Sequence, residues 1–515
     1  MSDLSLQGFL AECEREQLQR AQSIQPFGAL LGGEVGDPRV GFASANLAEW
    51  LDLTPEAVMG RPLTELLTDF PPPPTELAEI TAAADAWMRP ASDKRLYRDL
   101  CAGPRGSLDG LLSCNQQNWL LEFEPALPAS LRHTAYQPVP HRLYRMPYTE
   151  GDWVRHCQYL ADEMRAASGC ERVMIYRFRD DGCGEVISES LADGLPPYLG
   201  LRYPASDIPQ IARTLYLGNR HRQIPDIAAP PVPIVSAGAA LADLSLSDLR
   251  AVSPVHLEYL KNMGVTASLS FSLVIKGRLW GLVACHHGEP RPLPLAVRER
   301  CADMAQIFTL AIAGYQSSRG LLEVSESDQD IARLLEALRE AGGRRGAGVS
   351  RAAGEALLAL VRATGAALVD HARIVTFGDT PGLAAIRAQF DWLHANVSEQ
   401  VFATDALGTL FPPAADCSAN ASGLLAVRVS RFDDGSERGF LWWRPEQPQN
   451  VYWAGDPRKS ALFDAQRQML TPRSSFERWI ETTSGHSEPW SNLDLLRAKK
   501  FRSMILQDIN ADLLR

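Results

Sequence analysis

The sequence predicts an α+β chain of three domains, each an antiparallel sheet flanked by helices, joined by a long helical spine. Three observations carry that expectation. At 515 residues the chain is too long for one ordinary domain. Tight hairpin signals, Lys276-Gly277 and Asp434-Gly435, each sit between apolar runs. Between them, residues 294–341 hold only Gly314 and Gly320 as helix breakers after Pro294, over a stretch too long for an ordinary packed helix.

In the first domain, residues 24–31, 40–44 and 119–123 read as short strands. The run Pro71 to Pro74 can be neither helix nor central strand and marks a loop. A second proline-bearing stretch, 125–147, marks a domain boundary. The middle domain opens with helical spacing over 153–168. Strands at 172–178 and 184–190 follow, joined at Asp181-Gly182, and a hairpin pairs 267–275 with 279–286. The third domain spans about 351–504, with a hairpin of 424–432 and 439–443 followed by a polar, Trp-rich stretch. A helix over 493–514, free of Gly and Pro, ends the sequence.

Composition narrows the function. Hydrophobic residues make up 45% and charged residues 22%, the balance of a soluble globular protein. A formal charge of -11 argues against non-specific nucleic-acid binding, which needs basic patches to displace counterions. No apolar run reaches the roughly 20 residues of a membrane helix, and residues 1–10 lack the basic and apolar regions of a signal peptide. The expectation is a cytoplasmic protein with reduced thiols and no membrane partner. The nine cysteines show neither CxxC nor zinc-site spacing, so no metal site is expected.

Three clusters carry chemistry. In Pro204-Ala205-Ser206-Asp207-Ile208-Pro209, two prolines stiffen the backbone on either side of a carboxylate. Alone, the hexapeptide reads equally well as a surface turn. In the second cluster, Arg250, Ser253, His256 and Tyr259 recur at roughly helical spacing beside Pro254, which suits a pocket wall holding an anion and a titratable group. The third is Cys285-His286-His287. Strand alternation puts the two histidines on opposite faces, which disfavours shared metal ligation and favours one pocket-facing histidine.

In this order and spacing, the hexapeptide, the stretch 250–264 and the run Leu279 to His287 closely resemble the chromophore-binding GAF domain of bacteriophytochromes. Pro472-Arg473-Ser474-Ser475-Phe476 resembles the PRxSF motif in the tongue of the PHY domain, and Trp453-Ala454-Gly455 resembles the tongue's WGG-like element. Cys13 ahead of Ile24-Gln25-Pro26 is similar in spacing to the family's bilin-attachment cysteine. The chain departs from the family at Leu18 to Gln22, where an Ile-His-Ile-Pro-Gly-like segment is usual, and at Phe27 before Gly28.

The resemblance implies an N-terminal segment 1–23, a PAS domain 24–130, a GAF domain 145–318 and a PHY domain 325–505 with its tongue at about 424–485. Residues 506–515 would begin an output-linking helix, and an N-terminal knot would pass through the GAF domain. It implies a red/far-red photoreceptor holding biliverdin IXα by a thioether from Cys13. Arg222 and Arg250, with Ser253, Ser268 and Ser270, would hold the propionates, since Arg forks suit carboxylates. Asp207, through its carbonyl, and His256 would face the pyrrole nitrogens, and His286 the D-ring carbonyl. Tyr176, Tyr198, Tyr203, Tyr216 and Tyr259, with Ile208, would wall the pocket. Asp207 would pair with Arg473 in one light state, and isomerisation at C15=C16 would switch the tongue. Partners would be a second copy of the chain, through the spine and terminal helices, and an output module or response regulator. No kinase motif stands in this sequence, so the chain is expected to be a sensor and not an enzyme. The alternatives are a pigment-free GAF ligand sensor and a bilin-modifying enzyme, the latter lacking a Gly-rich nucleotide loop after a strand.

Overall fold

A computed structural model of the chain describes residues 17–70, 93–130, 132, 136–238, 241–343, 351–369, 373–430, 437–457, 461–464 and 469–513. They form two compact units, 1–315 with 452–479, and 316–451 with 480–515.

Among the described residues, the first unit holds two large sheets and a short two-stranded one. One contains β1 (Ser23–Ile24), β2 (Ala29–Glu34), β3 (Phe42–Ser44), β4 (Asp93–Gly103), β5 (Gly106–Cys114) and β6 (Asn118–Pro125). The stretch 24–31, expected as one strand, is broken at Gln25-Pro26. There the Gln25 N–H donates to the Leu249 carbonyl (2.7 Å) and its side chain to the Gln223 carbonyl (3.0 Å). Short helices Leu47–Leu51, Pro55–Val58 and Leu63–Asp69 cover the sheet, burying Leu47, Trp50, Leu66 and Leu67 against Leu31, Leu121 and Phe123.

The second sheet is built from β7 (Arg172–Phe178), β8 (Gly184–Leu191), β9 (Arg202–Tyr203), β10 (His221–Ile224), β12 (Ala267–Ile275) and β13 (Arg278–His287). Between β10 and β12 in sequence, β11 (Val232–Ser236) leaves this sheet and joins the first one, pairing with both β1 and β3. The β12–β13 turn falls at Lys276-Gly277, with φ of +51° and +74°, the left-handed pair a two-residue hairpin needs.

Helix α1 (Glu150–Ser168) starts on a capping box, in which Thr149 Oγ1 accepts from Asp152 N–H (3.1 Å) and the Asp152 carboxylate accepts from Thr149 N–H (3.1 Å). Its buried stripe of His156, Cys157, Leu160, Ala161 and Met164 follows the helical period and packs in one core with Phe271, Val283 and Phe308. Each large apolar side chain so buried stabilises the fold by roughly 1.5–3 kcal/mol. Helices α2 (Gln210–Gly218) and α3 (Pro254–Asn262) complete this region, and α4 (Leu295–Gly343) is a single helix of 49 residues where a spine was expected.

The second unit centres on five strands: β14 (Gly365–Val369), β15 (Ile374–Gly378), β16 (Val401–Thr404), β17 (Gly423–Ser430) and β18 (Glu437–Arg444), in the order β15-β14-β18-β17-β16. Helix α5 (Arg351–Leu360) and helix α7 (Asn492–Leu513) bury residues against one face, with Trp442 and Phe501 at its centre. Helix α6 (Leu383–Asn396) buries Ile386, Phe390 and Leu393 with Trp443 on the other. Strands β17 and β18 form the central hairpin of this core, and residues 452–479 belong to the first unit. Strand β19 (Gln449–Ala454) meets the first unit's second sheet at Trp453, which pairs with Arg202 in parallel, an exception to the antiparallel pattern expected of every sheet. A short hairpin joins β20 (Ala461–Asp464) to β21 (Met469–Pro472).

Candidate functional site

Backbone stiffness builds the first wall of the site. After β9, Pro204 (φ -61°) and Pro209 (φ -65°) bracket one 3-10 turn, Ala205–Asp207, closed by Asp207 N–H on the Pro204 carbonyl (3.1 Å). Arg213 on α2 reaches back to donate to the carbonyls of Ile208 (2.7 Å), Gly182 (2.7 Å) and Ala205 (3.3 Å). Arg213 stands four residues past Pro209 and outside every motif read from the sequence. Its role emerges only when Gly182 and Ala205 are brought together.

The second wall is a strand pair. On β10 and β12, Arg222 lies opposite Ser270 and Ile224 opposite Ser268. All four line one cavity, as the period-2 alternation of a strand requires. Ser270 Oγ lies 3.1 Å from the Tyr216 hydroxyl. Ser268 is also opposite His286 on β13, which places that histidine on the same face. Helix α3 supplies the third wall with Val255, His256 and Tyr259, beginning just after Ser253. The His256 and Tyr259 rings stack 6.0 Å apart.

Together these walls enclose about 1310 Å³ of empty space including the open mouth. Of the residues expected from sequence, Asp207, Ile208, Tyr216, Arg222, Arg250, Ser253, His256, Tyr259, Ser268 and Ser270 line it. Tyr176, Tyr198 and Tyr203 instead form an apolar cluster with Ile208 and Tyr216 beside it. Cys13 lies outside the described residues.

The cavity's electrostatics divide into two ends. At one, Arg222 is committed to backbone, donating to the carbonyls of Asp248 (3.0 Å), Ala251 (3.2 Å) and Arg250. Arg250 is 8% exposed, and its Nη1 is buried with no hydrogen-bond partner among the described residues. Burial, with Arg222 beside it, pushes the Arg250 guanidinium down to about 9. A buried cation in that state calls for an anion. At the other end, burial pushes His256 down to about 4, with Arg222 adding to it. His286 is not among the residues that line the cavity, and burial pushes it to about 3, with Arg172 and His256 adding. Both imidazoles are thus neutral near pH 7. The Nδ1 of His286 and the hydroxyl of Tyr203 are buried without partners among the described residues.

At the same end, the Asp207 carboxylate accepts a hydrogen bond from the Tyr259 hydroxyl (2.8 Å) and pairs with Arg473. Both charged side chains are almost fully buried, at 4% and 3% exposure. Burial raises the Asp207 carboxyl above its ordinary value, and Arg473 and Tyr259 oppose that rise. Arg473 also donates to the Ala454 carbonyl and lies 4.7 Å from the Phe476 ring centre. Phe476 in turn packs edge-on against Tyr259, 5.1 Å away. The motifs Trp453-Ala454-Gly455 and Pro472 to Phe476 therefore converge on Asp207.

Family models match the chain as a PAS fold over residues 13–126, a GAF domain over 152–314 and a phytochrome region over 329–512. The chain is 34% identical to a bacteriophytochrome of Xanthomonas campestris pv. campestris over 518 residues, covering 96% of this chain and 78% of that protein. It is 33% identical to cyanobacterial phytochrome B of Nostoc sp. over 511 residues, covering 96% of this chain and 66% of that protein. The chain thus spans about two thirds of the length of several curated relatives. Among solved structures, a bacteriophytochrome from the photosynthetic bacterium R. palustris matches with a TM-score of 0.78 and 32% identity, covering 98% of this chain and 99% of that one. The Stigmatella aurantiaca phytochrome photosensory core module matches with a TM-score of 0.76 and 31% identity, covering 98% of each.

Proposed function

We propose, because the chain belongs to the phytochrome family of red/far-red photoreceptors as a PAS-GAF-PHY photosensory core, that its cavity is a biliverdin IXα site. The observation that carries this reading is Arg250, a buried guanidinium whose Nη1 has no partner among the described residues, in a cavity whose other end holds a neutral imidazole and a carboxylate already paired with Arg473. A flexible dicarboxylate with a conjugated, nitrogen-rich body fits that division. When bound, a bilin supplies the light absorption and the Z/E isomerisation at its C15=C16 bond.

The protein's own groups have separable tasks. Arg250, with Ser253, Ser268 and Ser270, holds the propionates, and Arg222 stiffens the backbone behind them. His256, neutral at physiological pH, offers one ring nitrogen as acceptor and the other as donor near the pyrrole nitrogens, together with the Asp207 carbonyl. His286 and the tyrosine cluster take the far ring, His286 through its unpartnered Nδ1 and Tyr203 through its hydroxyl. Cys13 would hold the pigment by a thioether, its S–H adding across a vinyl C=C bond. The ion pair of Asp207 and Arg473 would be the switched element, because Tyr203 and Tyr259, which would wall a bound bilin, both lie against that pair. Signalling then runs through the PHY region to an output partner of the full-length protein, with the chain acting as a dimer.

Mixing apoprotein with biliverdin in the dark, then recording absorption before and after red and far-red light, tests this reading. A red-region band that switches reversibly is the expected result. Absence of bound pigment would overturn it and favour a pigment-free GAF ligand sensor.

A further inference from the structure

Glu122 lies on β6 of the first sheet and is fully buried. Its Oε1 accepts from the Ser247 hydroxyl (2.5 Å) and the Leu249 N–H (2.9 Å), and its Oε2 from the Asp248 N–H (3.1 Å). Three consecutive residues of a distant loop thus fold around one carboxylate. A buried carboxylate that is removed leaves those donors unsatisfied, and each costs about 1–3 kcal/mol. A second anchor comes from β4, where Lys94 donates to the Asp248 carboxylate (2.6 Å) and to Asn219 Oδ1 (2.9 Å).

Beyond the anchored residues 247–249, the same segment runs into the cavity. The carbonyls of Asp248, Arg250 and Ala251 clasp the Arg222 guanidinium, and Arg250 itself delivers the unpartnered Nη1. The Gln25 side chain holds the Arg250 carbonyl from the N-terminal side (3.3 Å). A carboxylate in the first domain is therefore one short loop away from both cations of the cavity.

We propose that Glu122 is a positioning residue for the anion-holding end of the cavity, fixing residues 247–249 so that Arg222 stays on the backbone and Arg250 faces the ligand carboxylate. This rests on reading the cavity as a site for a bilin's propionates. Nothing in the local sequence of β6 announces the role, since Glu122 sits in an apolar strand beside Leu121 and Phe123.

The test compares binding of biliverdin and of its dimethyl ester to wild type, Glu122→Gln, Ser247→Ala and Arg250→Met. The wild type is expected to prefer the diacid by on the order of 10- to 100-fold, the span of a charge-assisted contact. In Glu122→Gln that preference collapses toward one while ester affinity holds. In an Arg250→Met background the Glu122 substitution adds no further loss, the non-additivity of two residues acting through one contact. A Glu122→Gln protein that keeps the wild-type preference, or loses both ligands in equal proportion, would show a purely structural role and overturn the proposal. If Glu122→Gln does not fold, Ser247→Ala carries the same comparison with a partial loss of preference, and an unchanged ratio there overturns it. A wild type that binds neither ligand removes the bilin reading itself, and this proposal with it. A wild type that binds both equally overturns the positioning of a carboxylate partner alone.

Discussion

Asp207 and Arg473 stand 266 residues apart and share a buried ion pair in the first unit. Arg473 brings with it the carbonyl of Ala454 and the ring of Phe476, so this ion pair ties both motifs of the segment 452–479 to Asp207. Removing one partner of a buried pair typically costs about 3–5 kcal/mol, because the other charge is left in low dielectric. Arg473→Ala is thus expected to release the segment. Limited proteolysis should cut within 452–479 markedly faster than in wild type, while biliverdin still binds. An unchanged cleavage rate would count against the pair as the fastening.

Arg250 presents the opposite case, a buried charge whose Nη1 has no partner among the described residues. Replacing such a charge by an apolar side chain of similar length relieves desolvation. Arg250→Met should therefore raise the apoprotein Tm, by roughly 2–4 °C for each kcal/mol relieved in a domain of this size. The same change should weaken biliverdin binding on the order of 10- to 100-fold. Differential scanning of apoprotein and a binding titration read the two effects separately. A variant that loses both stability and binding would assign Arg250 to the scaffold instead of the ligand.

Cys13 can be tested by its product although it lies outside the described residues. Of the alternatives, Cys170 is lowered to about 7 by its contact with Cys285 but is buried in a hydrophobic core, and four others are poor nucleophiles. Burial pushes the thiols of Cys101, Cys157 and Cys301 up to about 12 and Cys183 to about 11, and the thiolate is the form that adds to a vinyl group. Cys13→Ser should bind biliverdin but lose it on denaturation, with no zinc-induced fluorescence on a gel. Persistent fluorescence would move the attachment to another cysteine.

How much of this was legible in the sequence depended on whether the deciding interaction was local. The hairpin of β12 and β13 was readable because Lys276-Gly277 imposes its own turn and the strands alternate. The hairpin of β4 and β5 was missed because its pairing slips between Tyr97 and Cys101, where Asp99 takes φ of +49°, and the slip breaks the period of two. No local rule could have sent β11 into the first sheet, since Ile234 finds Ser44 across 190 residues of chain. The site residues divide in the same way. Asp207 lies between two prolines and His256 just after Pro254, so both stand in motifs that can be read locally. Arg213, Phe476 and Glu122 act through backbone groups or rings that only the fold brings near.

Acid should destabilise the apoprotein, and the sign follows from its buried histidines. Burial pushes His156 and His256 down to about 4 and His286 to about 3. Unfolded, these imidazoles take up protons as pH falls through about 6.5. The unfolded state then binds more protons than the folded one, so stability falls as pH falls through that window. Glu122 works the other way. Burial and Asp248 push it up to about 7, which favours the fold as pH drops from 7 toward the ordinary carboxylate range. Asp109 and Asp207, also raised by burial, act in the same direction nearer the ordinary carboxylate range, so between pH 7 and 5 three histidines stand against Glu122 and leave a net loss. The apoprotein Tm at pH 5 should sit several degrees below its value at pH 7, and an equal or higher value would contradict the neutral, buried state of these histidines.

Gly455 tests whether the geometry around Arg473 is set by backbone or by charge. Its φ is +82°, a conformation that costs a residue with a side chain roughly 1–2 kcal/mol. A Cβ there would also stand 2.2 Å from the Ser475 carbonyl oxygen, closer than real contacts allow. The Gly455 N–H meanwhile donates to the Glu477 carbonyl (2.8 Å), which ties the two motif segments together next to the Ala454 carbonyl that receives Arg473. Gly455→Ala must push these segments apart and so loosen the pair from its backbone side. It is expected to reproduce the proteolytic release of Arg473→Ala, and the double variant to be cut no faster than Arg473→Ala alone. Additive acceleration would mean that the glycine and the ion pair hold the segment independently.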